Sequence, residues 1–268
     1  MATPKVIILS GYGINCEEET KFAFEKSGAK ADIIHINDLI ESPKQLKEYQ
    51  IFVFPGGFSY GDDTGSGLAL ANKIKNNFSE ELEDFINQDT LILGICNGFQ
   101  VMVNLGLLPN LTKEKKIEIV LRPNQSFRYQ CRWVNLKIDS ESPSVFTKDL
   151  NYLYIPVAHG EGNFYADSQI IEQIKKNKQI TMRYANLEGD LALGEFPFNP
   201  NGSVDDIASI CDQTGRIMGM MPHPERGIFL SQRDDWPYLK EKMLREGQKI
   251  IDQNKGIKIF KNAVEYFK

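Results

Sequence analysis

A cysteine between a strand and a helix is the residue best placed to do chemistry in this sequence. The apolar run Leu91–Ile95 leads directly into Cys96, with Gly94 and Gly98 on either side, and a helical stretch follows. This is the Gly-x-nucleophile-x-Gly arrangement, in which glycines permit a turn too tight for neighbouring side chains. A helix N-terminus favours the thiolate, and the N–H of Asn97 points to where an oxyanion would form. The motif alone fits a buried structural cysteine in a βα turn equally well.

A histidine beside a glutamate could supply the base that such a nucleophile needs. His223 lies between two prolines and Glu225 follows the second of them, in a segment that comes after an apolar run. The prolines favour an extended chain, which would project both side chains to the same side. A carboxylate so placed holds the imidazole in the tautomer that accepts a thiol proton. The alternative is a rigid loop with a solvent-facing histidine, but a nucleophile turn elsewhere in the chain favours the catalytic interpretation. His35 lies within an apolar run and is interpreted as structural.

A pair of glycines could supply a second oxyanion donor. Gly56 and Gly57 follow the third predicted strand, at the carboxyl edge where open α/β sheets place their sites. Without side chains at these positions, backbone N–H groups can approach a substrate closely. A phosphate-binding loop is the alternative, but the segment lacks both the Gly-Lys-Ser/Thr ending and the GxGxxG spacing.

The elements that must position these residues indicate an α/β fold. Short β-branched or aromatic runs alternate with amphipathic stretches in the first hundred residues, which predicts a parallel sheet with right-handed crossovers. The predicted strands are Val6–Leu9, Ile33–Ile36, Ile51–Phe54, Leu91–Ile95, Arg132–Ile138, Leu153–Val157, Ile180–Tyr184, Ile207–Cys211 and Ile217–Met221. The predicted helices are Glu17–Lys26, Leu68–Asn87, Phe99–Leu105, Trp236–Gln253 and Ile259–Phe267. We expect an open, mostly parallel sheet flanked by helices on both faces, in one domain over residues 1–268.

Composition excludes several classes of protein. The net charge is −5 and the pI about 5.4, which gives no basic face for nucleic acid, and we interpret the basic run at 113–116 as a solvated loop. Four scattered cysteines without a CxxC pair argue against zinc and disulfides, so no metal is predicted. No apolar run approaches the roughly 20 residues of a membrane span, and the start lacks a secretory pattern. We therefore expect a cytoplasmic chain with no membrane partner.

Beyond these local motifs, the chain closely resembles the triad (class I) glutamine amidotransferases. Within them it is similar to the glutaminase components of phosphoribosylformylglycinamidine synthase. Six segments carry the resemblance: Gly13-Ile-Asn-Cys16, Pro55-Gly-Gly-Phe-Ser-Tyr-Gly-Asp62, Gly94-Ile-Cys-Asn-Gly-Phe-Gln100, Ala158-His-Gly-Glu-Gly162, Asn199-Pro-Asn-Gly-Ser203 and Gly219-Met-Met-Pro-His-Pro-Glu-Arg226. Triad amidotransferases in general share the nucleophile turn and the His-x-Glu pair, whereas the other segments are more particular to these glutaminases.

The resemblance implies a flavodoxin-like fold and a role for each site residue. Cys96 would attack the side-chain amide of glutamine and form a γ-glutamyl thioester, with His223 as base and acid and Glu225 as its orienter. Gly57 and Asn97 would supply the oxyanion N–H groups. The glutamine pocket would be lined by Gly56, Phe58, Gln100, His159 and Gly160.

The resemblance also implies partners and cofactors. Ammonia would pass to a large synthetase subunit that amidates formylglycinamide ribonucleotide in purine biosynthesis, and a small third subunit is left open. ATP and magnesium would belong to that synthetase, so no cofactor is expected in this chain. Three alternatives remain at this point: a glutaminase feeding a different acceptor, a cysteine hydrolase or peptidase on a related fold, and a non-catalytic regulatory binder.

Overall fold

The computed structural model describes residues 3–112 and 116–268. Most of the basic run at 113–116, residues 113–115, lies outside the described residues, so its interpretation as a solvated loop stays a prediction. In the described part of the chain, no helix is both long and apolar enough to cross a membrane.

Strands and helices alternate along the first hundred residues, and strands dominate the middle of the chain. The strands are β1 (Lys5–Ser10), β2 (Lys30–His35), β3 (Ile51–Phe54), β4 (Leu91–Ile95), β5 (Val120–Pro123), β6 (Gln130–Ile138), β7 (Tyr152–His159), β8 (Glu161–Tyr165), β9 (Ile180–Ala185), β10 (Ile207–Cys211) and β11 (Ile217–Met220). The helices are α1 (Glu17–Lys26), α2 (Ile36–Glu41), α3 (Leu68–Ile86), α4 (Asn97–Asn104), α5 (Ser168–Lys176), α6 (Trp236–Arg245) and α7 (Ile257–Glu265).

Within the described ranges, nine of these strands form one sheet, in the order β2-β1-β3-β4-β11-β10-β9-β6-β7. From β2 to β11 all neighbours are parallel, and from β11 to β7 all are antiparallel. Strands β5 and β8 form a separate two-stranded antiparallel sheet. The predicted open α/β sheet is confirmed, and its antiparallel half comes from the strands after residue 111.

The parallel half is the apolar centre of the protein. Every residue of β3 and β4 is buried, and successive strand residues point to opposite faces, so both faces of the sheet are covered. Helix α1 packs on β1 and β2, and α4 packs on β3, β4 and β11. The apolar stripe of α3, from Ala71 to Phe85, is buried as its spacing predicts.

Some of the predicted boundaries were wrong, and several elements were not predicted. The strand predicted over Ile33–Ile36 ends at His35, because its Nδ1 accepts the N–H of Asn37 at 3.2 Å and starts α2. The helix predicted over Trp236–Gln253 ends at Arg245, since Gly247 follows with a φ of 67° and no residue of α6 is buried to hold a longer helix. Strands β5 and β8 and helices α2 and α5 were not predicted.

Candidate active site

Three neighbouring parallel strands bring the predicted site residues to one edge of the sheet. Strand β4 lies between β3 and β11. The glycine loop follows β3, Cys96 follows β4, and His223 follows β11, so all three are at the carboxyl ends of adjacent strands. This is the edge where open α/β sheets place their sites.

The backbone at Cys96 has the strained conformation expected of a nucleophile turn. Its φ of 51° and ψ of −107° lie where side chains are rarely found, and it directly precedes α4. Glycine is required at Gly98, where a Cβ would overlap the carbonyl oxygen of Phe54. The N–H of Cys96 donates to the carbonyl of Met220 at 2.7 Å, which fixes the turn to β11. Cys96 is 4% exposed, and its thiol lies 3.7 Å from the carbonyl oxygen of Ala158.

His223 and Glu225 form a buried pair next to this thiol. Nδ1 of His223 lies 2.5 Å from Oε1 of Glu225, and the N–H of His223 donates to the carbonyl of Pro156 at 2.8 Å. The predicted pairing of side chains is present, but the predicted extended chain is only partly so, because Pro224–Arg226 forms a short 3-10 turn. That turn folds the carboxylate back onto the ring.

The electrostatic surroundings of His223 favour its protonated form. Burial on its own lowers the pKa of His223, but the charge of Glu225 and the nearby thiols of Cys96 and Cys16 more than offset this and raise the pKa well above 6.5. Nε2 of His223 is buried without a hydrogen bond of normal geometry, although both thiols are near enough to interact with the ring. This nitrogen can therefore exchange a proton with a thiol.

Cys16 also belongs to this cluster, although the sequence motifs alone assigned it no chemical role. Its buried thiol accepts a hydrogen bond from Nη2 of Arg226 at 3.0 Å. A Cβ on Gly56 would lie 2.9 Å from this thiol and 2.7 Å from Cε1 of His223, so only glycine leaves room for both. Cys16 lies in the segment Gly13-Ile-Asn-Cys16, one of the six that carry the family resemblance, but this segment has no recognisable catalytic pattern.

Cys16, His223 and Glu225 could in principle hold a metal ion, since one ligand atom from each lies within 4.8 Å of the others. The protein already pairs these atoms, however. Glu225 bonds the imidazole, and the guanidinium of Arg226 faces the sulfur of Cys16, where a metal cation would be repelled. The arrangement fits a hydrogen-bonded catalytic cluster better than a metal centre.

The two residues predicted to supply oxyanion N–H groups, Gly57 and Asn97, lie on segments next to Cys96. Asn97 is the first residue of α4, so its N–H has no acceptor within the helix. Gly57 has a φ of 151°, and a Cβ there would lie 2.7 Å from the carbonyl oxygen of Gly13 and from Cα of Ile14. The side chain of Asn97 ties the two segments together by accepting the N–H of Ser59 at 3.1 Å.

A pocket of about 140 Å³ opens beside Cys96. Its lining residues are Gly57, Phe58, Asp62, Ser66, Cys96, Gln100, Tyr129, His159, Gly160 and Glu161. Most of the predicted pocket residues are among them, whereas Gly56 lies behind the loop, where its carbonyl accepts the N–H of Asn15 and of Cys16. Asp62, Ser66, Tyr129 and Glu161 were not predicted as site residues.

Gln100 lines the pocket with its amide already bonded to the protein. Its Nε2 donates to the carbonyl of Glu161 at 2.7 Å, and its Oε1 accepts from Nδ2 of Asn97 at 2.9 Å. Gln100 therefore fixes the start of β8 to the nucleophile helix and shapes the pocket wall.

His159 is a second buried histidine of the pocket, with a different environment. Nδ2 of Asn124 donates to two carbonyls, those of Arg128 and His159, so Oδ1 is the acceptor and Nδ1 of His159 carries the proton, at 3.0 Å. Burial and the charge of His223 lower the pKa of His159 to about 3. The ring is therefore neutral, and its Nε2 is a buried acceptor without a partner.

Comparison with known proteins identifies the family of the chain. A family model described as the CobB/CobQ-like glutamine amidotransferase domain matches residues 3–267. The chain is 55% identical to phosphoribosylformylglycinamidine synthase subunit PurQ of Methanococcus maripaludis, over 98% of this chain and 97% of that protein. It is 41% identical to the subunit of the same name from Dehalococcoides mccartyi, over 99% and 98% of the two chains.

The fold has a solved counterpart as well. A chain in the structure of PurLQS from Thermotoga maritima superposes with a TM-score of 0.70 at 26% identity, covering 100% of both chains. The chain therefore belongs to the CobB/CobQ-like glutamine amidotransferase domains and, among them, to the family of phosphoribosylformylglycinamidine synthase PurQ subunits.

Proposed function

We propose that this chain is the glutaminase subunit of a phosphoribosylformylglycinamidine synthase. It hydrolyses the side-chain amide of glutamine and delivers ammonia to a large synthetase subunit, which converts formylglycinamide ribonucleotide to formylglycinamidine ribonucleotide in cytoplasmic purine biosynthesis. Residues 1–268 act as one amidotransferase domain. The observation that carries the proposal is the cluster of Cys96, His223 and Glu225 at the edge of a small polar pocket, in a chain of the PurQ family.

The first half of the reaction acylates the cysteine. His223 takes the thiol proton of Cys96, and the sulfur attacks the carboxamide carbon of glutamine. The negative charge on the oxygen is stabilised by the N–H groups of Gly57 and Asn97. As the carbon–nitrogen bond breaks, His223 gives its proton to the leaving nitrogen, which departs as ammonia. A γ-glutamyl thioester remains on Cys96.

The second half of the reaction restores the enzyme. His223 removes a proton from water as the water oxygen attacks the thioester carbon. The carbon–sulfur bond then breaks to release glutamate, and His223 returns the proton to the sulfur, which restores the free thiol. Glu225 keeps Nδ1 of His223 protonated and directs Nε2 to the reacting groups throughout. These steps need no cofactor in this chain, and we assign ATP and magnesium to the synthetase subunit.

The division of labour between two subunits provides the test. In the complex with the synthetase, Cys96→Ala is expected to abolish formylglycinamidine ribonucleotide formation from glutamine and to leave formation from added ammonium salts unchanged. Cys131→Ala, which removes an exposed thiol, is the matched control and keeps both activities. Loss of both activities in Cys96→Ala would contradict the proposal, as would retention of the glutamine-dependent one.

A further inference from the structure

Two acidic side chains line the pocket beside Cys96 and have no part in the steps above. Asp62 belongs to the loop after β3, and Glu161 is the first residue of β8. The hydroxyl of Ser66 donates to Oε2 of Glu161 at 2.6 Å and also lies within hydrogen-bonding reach of Asp62. Ser66 is therefore near both carboxylates, and its single proton is given to Glu161.

Both carboxylates are oriented by the protein without being saturated by it. Oδ1 of Asp62 accepts from Nδ2 of Asn97 at 3.1 Å, and the N–H of Gly67 also bonds this carboxylate. Glu161 accepts from Ser66. An ionised carboxylate has about four lone-pair sites, so each group can accept further hydrogen bonds from a ligand.

Asp62 and Glu161 place two acidic groups in the same part of the pocket. Burial and the charge of Glu161 raise the pKa of Asp62, whereas hydrogen bonds from Gly67, Ser66 and Asn97 lower it by less. The one charged group among the main causes of this shift is the carboxylate of Glu161. A positively charged ligand group between the carboxylates would therefore relieve their repulsion.

His159 points independently to a ligand that carries N–H groups. It lines the same pocket, is 2% exposed and has a neutral ring whose Nε2 lacks a partner. A buried acceptor without a partner is unfavourable, and a donor on the ligand would satisfy it. The carboxylates and this nitrogen together favour a small cation with several N–H donors.

We infer that Asp62 and Glu161 form the subsite that binds the α-ammonium group of glutamine, while Nε2 of His159 accepts another N–H of the same ligand. The inference rests on the proposed function, because it assigns the far end of the same substrate. The α-ammonium group is what distinguishes free glutamine from a deaminated analogue or a glutamine within a peptide. The subsite thus restricts the enzyme to the free amino acid.

The test compares two substrates in the complex with the synthetase subunit. L-glutamine and glutaramate share the carboxamide and the carbon chain, but glutaramate has hydrogen in place of the α-ammonium group. The wild-type complex is expected to prefer glutamine by about 100-fold or more in kcat/KM, measured as ammonia release. Glu161→Gln and Asp62→Asn each keep the shape of the side chain and remove its charge.

Each of the two variants is expected to lower kcat/KM for glutamine by about 10–100-fold, mainly through KM, and to change kcat/KM for glutaramate by less than about threefold. Turnover of glutaramate also shows that the nucleophile and base are intact. Asp63→Asn, at an exposed acid next to Asp62, is the matched control and is expected to leave both substrates unaffected.

Two results would overturn the inference: equal losses on both substrates, which would assign a structural role to the carboxylates, or an undiminished preference for glutamine in both variants. A wild-type preference that is absent from the start would do the same. Failure of the proposed function would look different, since the wild-type complex would then release no ammonia from glutamine while still using added ammonium.

Discussion

His223 and His159 are equally buried, at 2% exposure, yet their pKa values are shifted in opposite directions. His223 lies beside the carboxylate of Glu225, and its pKa is raised well above 6.5 despite burial. His159 lies beside the uncharged amide of Asn124, and burial lowers its pKa to about 3. In both residues Nδ1 is hydrogen-bonded to a side-chain oxygen, at 2.5 Å in His223 and 3.0 Å in His159. The two rings therefore make the same kind of bond, although their pKa values are shifted in opposite directions.

The comparison shows that the charge of the orienting residue decides what a buried imidazole can do. Next to a carboxylate the ring can hold a second proton, which suits a base that must later act as an acid. Next to an amide it stays neutral and presents a bare nitrogen, which suits an acceptor for a ligand N–H. Burial alone would have made both rings neutral.

The largest effect on activity is expected when His223 loses the charge of its orienting residue. Glu225→Gln keeps the shape of the orienting side chain and removes its charge, so that His223 loses both its fixed tautomer and its charge partner. Glutamine-dependent activity of the complex should fall on the order of 10³–10⁴-fold, with ammonia-dependent activity unchanged. Initial rates with each nitrogen source measure this. Glu188→Gln, at an exposed site, serves as the control, and a fall of less than about tenfold would show that the charge is dispensable.

The converse change gives His159 the environment of His223. Asn124→Asp should raise the pKa of His159, turning Nε2 into a donor that no longer accepts an N–H from the ligand. The KM for glutamine at pH 7 should rise by about tenfold, with a smaller change in kcat. Steady-state kinetics of the complex test this. Asn124→Ala loses the same donors to Arg128 and His159 without adding charge, so identical KM values in the two variants would refute the electrostatic explanation.

Stability against acid should separate the two rings as well. The pKa of His159 is lowered in the folded state, so its contribution to the free energy of unfolding is complete above pH 6.5 and is lost as the pH falls toward 3. The expected slope from this group is about 1.4 kcal/mol per pH unit. His223, whose pKa is raised, contributes in the opposite sense, and its stabilisation is lost as the pH rises through its folded-state pKa.

Urea unfolding between pH 6.5 and 4.5 can isolate the contribution of His159 to the free energy of unfolding. His159→Asn retains an N–H that can reach Oδ1 of Asn124 but does not titrate. Its unfolding free energy should therefore fall less steeply with acidification, by about 1.4 kcal/mol per pH unit. Parallel profiles for the variant and the wild type would be inconsistent with a neutral buried His159.

The smallest effect is expected at Cys16, which touches one histidine and not the other. Cys16→Ala removes the acceptor of the Arg226 hydrogen bond and one of the groups that raise the pKa of His223. Glutamine-dependent turnover should fall by no more than about fivefold, and the unfolding free energy by about 1 kcal/mol. Kinetics and thermal unfolding beside Cys131→Ala measure both, and a complete loss of turnover in a folded variant would make Cys16 part of the reaction itself.

Much of the parallel half of the sheet could be predicted because its information is local. The strands β3 and β4 are continuous apolar runs, and Gly94, Cys96 and Gly98 mark a turn whose strain only glycine neighbours permit. The pairing of His223 with Glu225 was also local, although the chain between them turns instead of running extended.

The other wall of the pocket could not be predicted, because its contacts join distant parts of the chain. Ser66 bonds Glu161, and Gln100 bonds the carbonyl of the same residue, across separations of 95 and 61 positions. Strand β8, which carries Glu161, alternates weakly and contains a glycine, so its pairing with β5 leaves little trace in the pattern of apolar residues. The amide partner of His159 is likewise invisible without the fold.

The insertion of β11 between β4 and β10 has a consequence for how the protein is made. The nucleophile strand leaves the ribosome some 120 residues before the strand that closes its edge, which corresponds to roughly 6–25 s of translation. During that interval the edge of β4, a strand whose residues are all buried in the finished fold, is open to pairing with other chains or to chaperones. The backbone hydrogen bond from the N–H of Cys96 to the carbonyl of Met220 forms only at the end of the interval. The active site is therefore completed at the same time as the nascent chain is protected from aggregation.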